Sequence, residues 1–221
     1  MTTSWALFRA LSLPTPWSPA SVPHPLIVYG GSTTLGAFAI KLAVLANIHP
    51  IIAIAGQGSP YVSTLLSSER GDKVFDYREG EEKLAQSVQS ALGEAQAYHA
   101  VDAVGEASCV AFLRKFVADS GKIALSLPIS EEGNESGTRV ATELVSSVAV
   151  HQTFGSPPPG GMEFGYMMSR YFTYALQQGL LKGHPYEVVA GGLDGVQGAL
   201  ERLKAGTVSA KKLVVRVAET A

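Results

Sequence analysis

The sequence is poor in cysteine and in charged residues. Cys109 is the single cysteine among 221 residues, which excludes an internal disulfide and a multi-cysteine zinc site. Charged residues make up 16% of the chain and the formal net charge is -2, so neither nucleic acid nor an anionic membrane is indicated as a partner. Because the cysteine content offers no disulfide, a cytoplasmic location is the simplest expectation.

Long apolar runs and targeting signals are also absent. No uninterrupted apolar stretch approaches the roughly 20 residues that a membrane-spanning helix needs, so we predict no membrane span. The segment 1–17 has a short apolar patch, but Arg9 and several prolines interrupt it, and it lacks the features of a signal peptide. The hydrophobic content of 46% indicates a globular protein with a sizeable core.

Several patterns of catalytic and metal-binding residues are missing as well. No tyrosine is followed four positions later by lysine, the pair that short-chain dehydrogenases need, and there is no G-x-S-x-G or P-loop motif. The five histidines are scattered without metal-binding spacing, so no metal site is predicted. Cys109 shares a predicted helix face with Phe112 and Phe116, which favours a small buried residue over a reactive thiol.

Short apolar runs that alternate with helical segments are the main pattern that the chain does contain. The runs that predict strands are 26–30, 51–55, 73–77, 97–104 and 122–128. The segments that predict helices between them are 34–47, 60–69, 80–92 and 107–119, the last closed by Gly121. This alternation predicts an α/β fold with a doubly wound parallel sheet of the Rossmann type, covered by helices on both faces.

The remaining segments suggest three parts of the chain. Residues 1–24 combine a short helix at 5–12 with a proline-rich linker, and residues 25–160 form the predicted nucleotide-binding domain, with a sixth strand expected within 141–154. Residues 161–221 follow a Pro/Gly-rich stretch. The elements predicted there are helices at 162–182 and 192–206 and strands at 186–189 and 211–219.

The stretch "LIVYGGSTTLG" places glycines and hydroxyl residues where the first strand turns into its helix. Gly31, Thr33 and Gly36 occupy the three positions of G-x-G-x-x-G, with threonine at the middle one, so the strict fingerprint is broken. A helix N-terminus presents free backbone amides to an anion, and Ser32 and Thr34 add hydroxyl donors. We therefore predict that this loop binds the pyrophosphate of a dinucleotide; an ordinary glycine-rich turn is the alternative.

The end of the second predicted strand carries no acidic residue. NAD-binding folds usually place Asp or Glu there, whereas residues 55–59 read "AGQGS". Because a carboxylate would repel a 2′-phosphate, its absence favours NADP(H). Ser59 and Tyr61, together with Tyr77 and Arg78 at the end of the third strand, are possible partners of that phosphate. A partly buried aromatic ring and a solvated charge are the alternatives for the last two.

Four stretches together resemble the medium-chain dehydrogenase/reductases: "VYGGSTTLGAFAIKLA", "VFDYREGEE", "AVDAVGEAS" and "GGLDGVQGALERLKAGTVSAKKLVVRVAE". The resemblance is closest to the zinc-independent quinone-oxidoreductase-like group, which includes fungal trans-acting enoyl reductases. It implies an NADPH-dependent oxidoreductase that transfers hydride to an activated C=C bond or a quinone of a small-molecule substrate.

The resemblance also implies roles for individual residues, although no catalytic residue is assigned. The residues that would hold the pyrophosphate are Gly30, Gly31, Ser32, Thr33, Thr34, Leu35 and Gly36. Those that would approach the adenosine phosphate, the nicotinamide ribose and the nicotinamide are, in that order, Ser59 with Tyr77, Val104 with Gly105, and Leu127 with Phe154 and Gly155. Plain core packing is the alternative for the apolar ones.

The chain departs from this resemblance at its N-terminal side. Members of the family begin with a β-rich GroES-like domain on which the C-terminal segment packs, whereas the first strand here is expected at Leu26. A truncated product, a short variant that binds the nucleotide without turnover, and a homodimer or partner domain that completes the cleft all stay open. The strand in "KLVVRV" would pair within the absent domain, so its edge is expected to be exposed.

Two further functions are weighed beside the oxidoreductase. One is a non-catalytic nucleotide-binding remnant or sensor, suggested by the missing domain. The other uses the same loop for a ligand of the S-adenosylmethionine type, but methyltransferases usually place an acid at the end of the second strand, which 55–59 lacks.

Overall fold

A parallel sheet forms the centre of the computed structural model, which describes residues 1–127, 141–144 and 160–220. Its strands are β1 Leu26–Tyr29, β2 Ile51–Ala55, β3 Lys73–Asp76, β4 Ala97–Asp102, β5 Val117–Leu125 and β6 Ala141–Leu144. They lie in the order β3-β2-β1-β4-β5-β6, and every neighbouring pair is parallel. The predicted doubly wound α/β fold is thereby confirmed, and β6 lies at the start of the segment expected to hold a sixth strand.

The described residues also form seven α-helices and a second sheet, which has two strands. The helices are α1 Thr2–Trp5, which continues as a π-helix over Ala6–Ala10, α2 Thr34–Leu45, α3 Ser59–Ser63, α4 Glu81–Leu92, α5 Ala107–Arg114, α6 Gly161–Gln177 and α7 Val196–Lys204. Short 3₁₀ turns span Ser68–Arg70, Tyr77–Glu79, Gly192–Gly195 and Val217–Glu219. The small sheet pairs β7 Tyr186–Val189 with β8 Lys212–Val215 in parallel.

Alternate residues of the central strands pack into two separate hydrophobic cores. Val28 of β1 and Ala53 of β2 join a core with α2, the N-terminal helix and Met168 of α6. Their neighbours Ile27 and Ile52 join a second core with α4 and α5 on the other face. All five residues of β2 are buried, as expected for a strand covered on both sides.

The strand order reverses at β1, which lies between β2 and β4. The crossovers that leave the carboxyl ends of β1 and β4 therefore run to opposite sides of the sheet and leave a crevice between them, the usual ligand position in such folds. Gly30 and Val104, which follow these two strands, meet at the crevice, because a Cβ added to Gly30 would lie 2.7 Å from Val104 Cγ2.

The predicted helix 107–119 was wrong at its C-terminal end. α5 ends at Arg114, and Gly121 lies inside β5 rather than closing the helix. The register with β4 shifts there, since Ala97 pairs with Val117 while His99 pairs with Lys122. A Cβ on Gly121 would lie 2.6 Å from the carbonyl oxygen of Tyr98, so glycine is needed for the close backbone approach at a bulge.

Other element boundaries also differ from the predicted ones, where the chain packs against the core and does not continue as a helix. The predicted helix 60–69 is only α3, after which Leu65 and Leu66 turn towards the core. β8 pairs with β7, although the family resemblance implied a partner in an absent domain. Within the described ranges no further strand joins this small sheet, so its outer edges are open there. None of the described helices has the length and apolar character required to cross a membrane.

Candidate functional site

The loop between β1 and α2 is held tightly against the start of α2. Gly30 has a φ of +81°, a conformation that favours glycine. A Cβ on Gly36 would lie 2.2 Å from the carbonyl oxygen of Gly30 and 2.9 Å from Cα of Gly31. The loop and the helix can therefore pack this closely only because residue 36 is a glycine.

Backbone amides at the start of α2 are available to an anion. The Oγ1 atom of Thr33 caps the helix by accepting a hydrogen bond of 3.0 Å from the amide of Gly36. The amides of Ser32, Thr34 and Leu35 donate to no acceptor among the described residues. Together with the positive end of the helix dipole, these three donors suit a phosphate group.

A cleft of about 290 Å³ opens in front of this loop. Six of the residues predicted from the sequence line it: Gly30, Ser32, Thr33, Tyr77, Arg78 and Val104. Its other walls come from the ends of β1 and β2 and from the loop before β8. The residue types and the glycine cradle fit the pyrophosphate and adjacent ribose of a dinucleotide.

The remaining predicted residues that the structure describes do not line the cleft. Gly31 packs towards Ile40 and Ala53, while the side chain of Leu127 packs directly against Gly105. The hydroxyl of Ser59 donates to the carbonyl of Gly56 at 2.8 Å. Thr34 and Leu35 line a different cavity, and Phe154 and Gly155 lie outside the described residues.

Two side chains of the β3 end form the outer edge of the cleft. Tyr77 is 50% exposed, and its ring leaves no space for a Cβ on Gly56, which would lie 2.7 Å from Tyr77 Cε1. Arg78 makes a bidentate ion pair with Asp76, with Nε–Oδ1 at 2.9 Å and Nη2–Oδ2 at 2.5 Å. The hydrogen bonds from Arg78 lower the pKa of Asp76 to about 2, so this carboxylate is neutralised by pairing rather than by protonation. Tyr61, in contrast, lies away from the cleft and packs edge-on against His184.

The loop before β8 closes the cleft from the C-terminal part of the chain. Gly206, Val208 and Ser209 line the cleft together with Gly30, Ser32 and Thr33. A Cβ on Gly58 would lie 2.3 Å from Cβ of Ser32 and 3.2 Å from Cβ of Ala210, so three distant segments meet there. Sequence reasoning missed this loop, because small residues between a helix and a strand are also typical of an ordinary connection.

Asp102 organises the turn that follows β4. Its carboxylate is fully buried and accepts hydrogen bonds from the amides of Val104, at 2.9 Å, and Gly105, at 3.0 Å. Burial raises the pKa of Asp102, although these two amides oppose the shift. The turn places the side chain of Val104 directly against Gly30.

The single cysteine does not contribute a reactive group. Cys109 is 4% exposed, as the helical spacing predicted. Burial raises the pKa of its thiol to about 11, far from the depressed values of catalytic cysteines. In the described ranges no cluster of three or more His, Cys, Asp or Glu side chains could hold a metal ion.

Comparisons with known proteins find trans-enoyl reductases as relatives in sequence. No protein-family model matches the chain. Trans-enoyl reductase fsr4 of Gibberella fujikuroi is 34% identical over 193 residues, which cover 86% of this chain and 55% of that protein. Trans-enoyl reductase FSL5 of Gibberella zeae is 30% identical over 227 residues, which cover 98% of this chain and 61% of that protein. The chain thus spans less than two thirds of either relative.

Solved structures share the fold at low sequence identity. The CurK enoyl reductase superposes with a TM-score of 0.71 at 16% identity, over 97% of this chain and 59% of that one. CurA of Vibrio vulnificus, solved in complex with NADPH, has a TM-score of 0.64 at 18% identity, over 100% of this chain and 61% of that one. In sequence this chain is therefore similar to trans-enoyl reductases, and in fold it resembles these solved structures, over about three fifths of their length.

Proposed function

We propose that this chain binds NADP(H) in the cleft and forms the cofactor-binding part of an enoyl-reductase-type oxidoreductase. The observation that carries the proposal is that the amides of Ser32, Thr34 and Leu35, at the positive end of α2, donate to no acceptor among the described residues, while Ser32 also lines the cleft. The names of the trans-enoyl reductase relatives support the reaction class: reduction of a C=C bond conjugated to a carbonyl group.

The loop from Gly30 to Gly36 is assigned to the pyrophosphate. Arg78 and Tyr77, with Gln57 beside them, are assigned to the 2′-phosphate, since no carboxylate follows β2 and Asp76 is already paired. The guanidinium of Arg78 has donors left after pairing with one carboxylate, and it is the group best suited to a phosphate.

The nicotinamide half is assigned to the turn after β4. Val104 and Gly105, held by Asp102, are assigned to the ribose, and Leu127 to the ring. Phe154 and Gly155 stay predictions from the sequence alone. The cofactor supplies the hydride when it is bound, while these residues hold it in position and exclude water from the ring.

A non-catalytic nucleotide-binding module is the second candidate function. The observation that favours it is that the residues lining the cleft are assigned to the nucleotide and none of them to catalysis. A homodimer or a partner domain that completes the cleft stays part of this proposal.

Titration of the nicotinamide fluorescence of NADPH with the purified chain tests the site. We expect Ser32→Glu to weaken binding about fivefold or more, because a carboxylate beside the pyrophosphate costs roughly 1–4 kcal/mol. Ser63→Glu is the matched control, since Ser63 is an exposed serine of α3 outside the cleft, and it should bind normally. Absence of binding to the folded wild type at millimolar NADPH would remove the proposal.

Consumption of NADPH, followed by its absorbance, separates the two candidate functions. The substrates are a short trans-2-enoyl thioester and a quinone. Consumption with the thioester supports the enoyl reductase, and consumption only with the quinone changes the substrate class. Binding without consumption of NADPH identifies the nucleotide-binding module.

A further inference from the structure

A small polar cavity lies at the amino ends of the first three strands, away from the cleft. Its volume is about 200 Å³. Its walls come from the linker before β1, from the turn between α2 and β2, and from Arg70 shortly before β3. Pro50 before β2 lines this cavity, whereas Gly56 after β2 lines the cleft, so the length of the strand, about 15–20 Å, separates the two.

Asp72 holds the imidazole of His49 in the wall of this cavity. Nδ1 of His49 lies 2.8 Å from Oδ1 of Asp72, and the two side chains are only 9% and 0% exposed. The Asp72 carboxylate also accepts hydrogen bonds from the amides of Ile51, at 2.7 Å, and Ser67, at 3.0 Å. Because this carboxylate is an acceptor, Nδ1 is the donor of the pair.

The other ring nitrogen of His49 is left for a ligand. Nε2 bonds to no residue in the described ranges, and it is not one of the fully buried polar atoms that lack a partner, so it keeps access to the cavity that His49 lines. With the proton on Nδ1, the neutral ring offers Nε2 as a hydrogen-bond acceptor. A group that donates a hydrogen bond therefore fits this side of the cavity.

The side chain of Arg70 brings a positive charge to the opposite wall. Its guanidinium donates to Oδ1 of Asn47, and Nδ2 of Asn47 donates to the carbonyl of Ala20 at 2.6 Å. This chain of hydrogen bonds orients the guanidinium towards the linker that lines the cavity. Arg70 forms no ion pair with a carboxylate among the described residues, and further N–H donors remain after the bond to Asn47.

The remaining polar groups are mostly donors as well. Ser21 contributes a hydroxyl, and the amides of Ser21 and Val22 donate to no acceptor within the described part of the chain. No carboxylate is found among the lining residues that the structure describes: Glu69 does not line the cavity, and Asp72 is occupied behind His49. A cation, several neutral donors and one acceptor suit a small anion that itself bears a hydrogen.

We propose that this cavity binds a phosphate group that carries a proton. Arg70 and Ser21 donate to its oxygens, and Nε2 of His49 accepts from its P–O–H group. A free phosphate ion and a small phosphorylated molecule share this chemistry, whereas sulfate at neutral pH has acceptor oxygens only. The cavity shares no lining residue with the cleft, so phosphate binding here does not depend on the proposed function.

Calorimetric titration at neutral pH tests the cavity with three probes: inorganic phosphate, O-phosphoserine and sulfate. The protein is the Ser32→Glu variant, in which a carboxylate opposes anions at the loop from Gly30 to Gly36. We expect phosphate or phosphoserine to bind with a dissociation constant of about 1 mM or below, and the tighter of the two identifies the source of the phosphate group. Sulfate should bind about fivefold or more weakly, because it offers no hydrogen to His49. Affinity for sulfate equal to that for phosphate, or no phosphate binding to the folded protein at about 10 mM, would overturn the proposal.

Two pairs of substitutions locate the bound ion. Ser21 and Ser18 are both exposed serines of the linker before β1, but Ser18 does not line the cavity. Ser21→Glu should weaken phosphate binding about fivefold or more, and Ser18→Glu should leave it unchanged. Arg70→Gln should weaken it about tenfold or more, and Arg216→Gln, at an exposed arginine outside the cavity, should not. Equal effects within either pair would refute the site.

The wild type separates this inference from the proposed function. Phosphate binding that Ser32→Glu abolishes and Ser21→Glu preserves would assign the ion to the loop of the cleft, and it would overturn the inference while leaving the proposed function intact. Phosphate binding that Ser21→Glu weakens and Ser32→Glu preserves supports the cavity, even if NADPH does not bind and the proposed function fails.

Discussion

Gly36→Ala provides the sharpest test of the loop from Gly30 to Gly36. The new Cβ would meet backbone atoms of Gly30 and Gly31, not a movable side chain. The new Cβ would lie 2.2 Å from the oxygen and 2.8 Å from the carbon of the Gly30 carbonyl, against an ordinary contact of 3.4 Å or more. No change of rotamer can relieve this conflict, so the loop and α2 must move apart by about 1 Å. Overpacking of this kind costs about 1–3 kcal/mol in the free energy of unfolding.

Two measurements follow from that displacement. A chain of this length loses about 2–4 °C in Tm per kcal/mol, so we expect Gly36→Ala to melt about 2–12 °C below the wild type. The same movement misaligns the amides of Ser32, Thr34 and Leu35, and NADPH binding should weaken about tenfold or more, since hydrogen bonds to an anion are strong.

Gly198→Ala is the matched control for this experiment. Gly198 also lies within a helix, α7, but a Cβ there would meet nothing within 4 Å. Because alanine is the better helix former by about 0.5–1 kcal/mol, the control should melt slightly higher than the wild type and bind NADPH normally. If Gly36→Ala keeps the wild-type Tm and NADPH affinity, the close packing of loop and helix described here is refuted.

Three further predictions follow from the structure. Gln57→Asp places a carboxylate in the cleft beside Arg78, and repulsion of the 2′-phosphate by about 1 kcal/mol or more should lower the NADPH-to-NADH affinity ratio at least about fivefold; an unchanged ratio would contradict the placement. Arg202 and Lys211 lower the pKa of Glu187 from 4.5 to about 2, so the pairing stabilises the fold above pH 4.5 and is lost as the pH falls towards 2. The Tm advantage of the wild type over Glu187→Gln should therefore shrink across that interval, and a constant difference would argue against the ion pairs. Cys109, with its buried thiol of pKa about 11, should resist iodoacetamide at about pH 8 in the folded protein and react after unfolding, as mass spectrometry would show.

Elements with a strong local signal were predicted well. β2 was expected at 51–55 and spans Ile51–Ala55, because a strand buried on both faces is a continuous apolar run bounded by polar or turn residues. The N-terminus of α2 was found for a similar reason. Glycines and a capping threonine mark that turn within seven residues, Gly30–Gly36, and the amides that we propose for an anion lie in the same segment.

Features that depend on the meeting of distant segments were not predicted. From the local sequence, Gly121 could equally end a helix or lie in a β-bulge. Only its close approach to the backbone of Tyr98 shows that it lies in a bulge. The loop that carries Ser209 has no local mark of a ligand site, and its place in the cleft depends on how the chain beyond α6 packs on the sheet. The same holds for the second cavity, lined by Thr34 and Leu35, whose other walls come from the N-terminal helix, from α6 and from the segment after α6.

The amino-acid sequence by itself determined the layered α/β architecture, the glycine-rich turn at Gly30–Gly36 and the acid-free end of β2. Each of these properties depends on a short stretch of sequence. Burial of a strand on both faces and the backbone conformation of a turn each restrict the residue types within a few positions. The tertiary structure alone decided that Arg78 is paired with Asp76, that Ser209 lines the same cleft as Ser32, and that Thr34 and Leu35 line a second cavity. Such arrangements arise from side-chain packing between elements far apart in the chain, and periodicity within a single element carries no information about them.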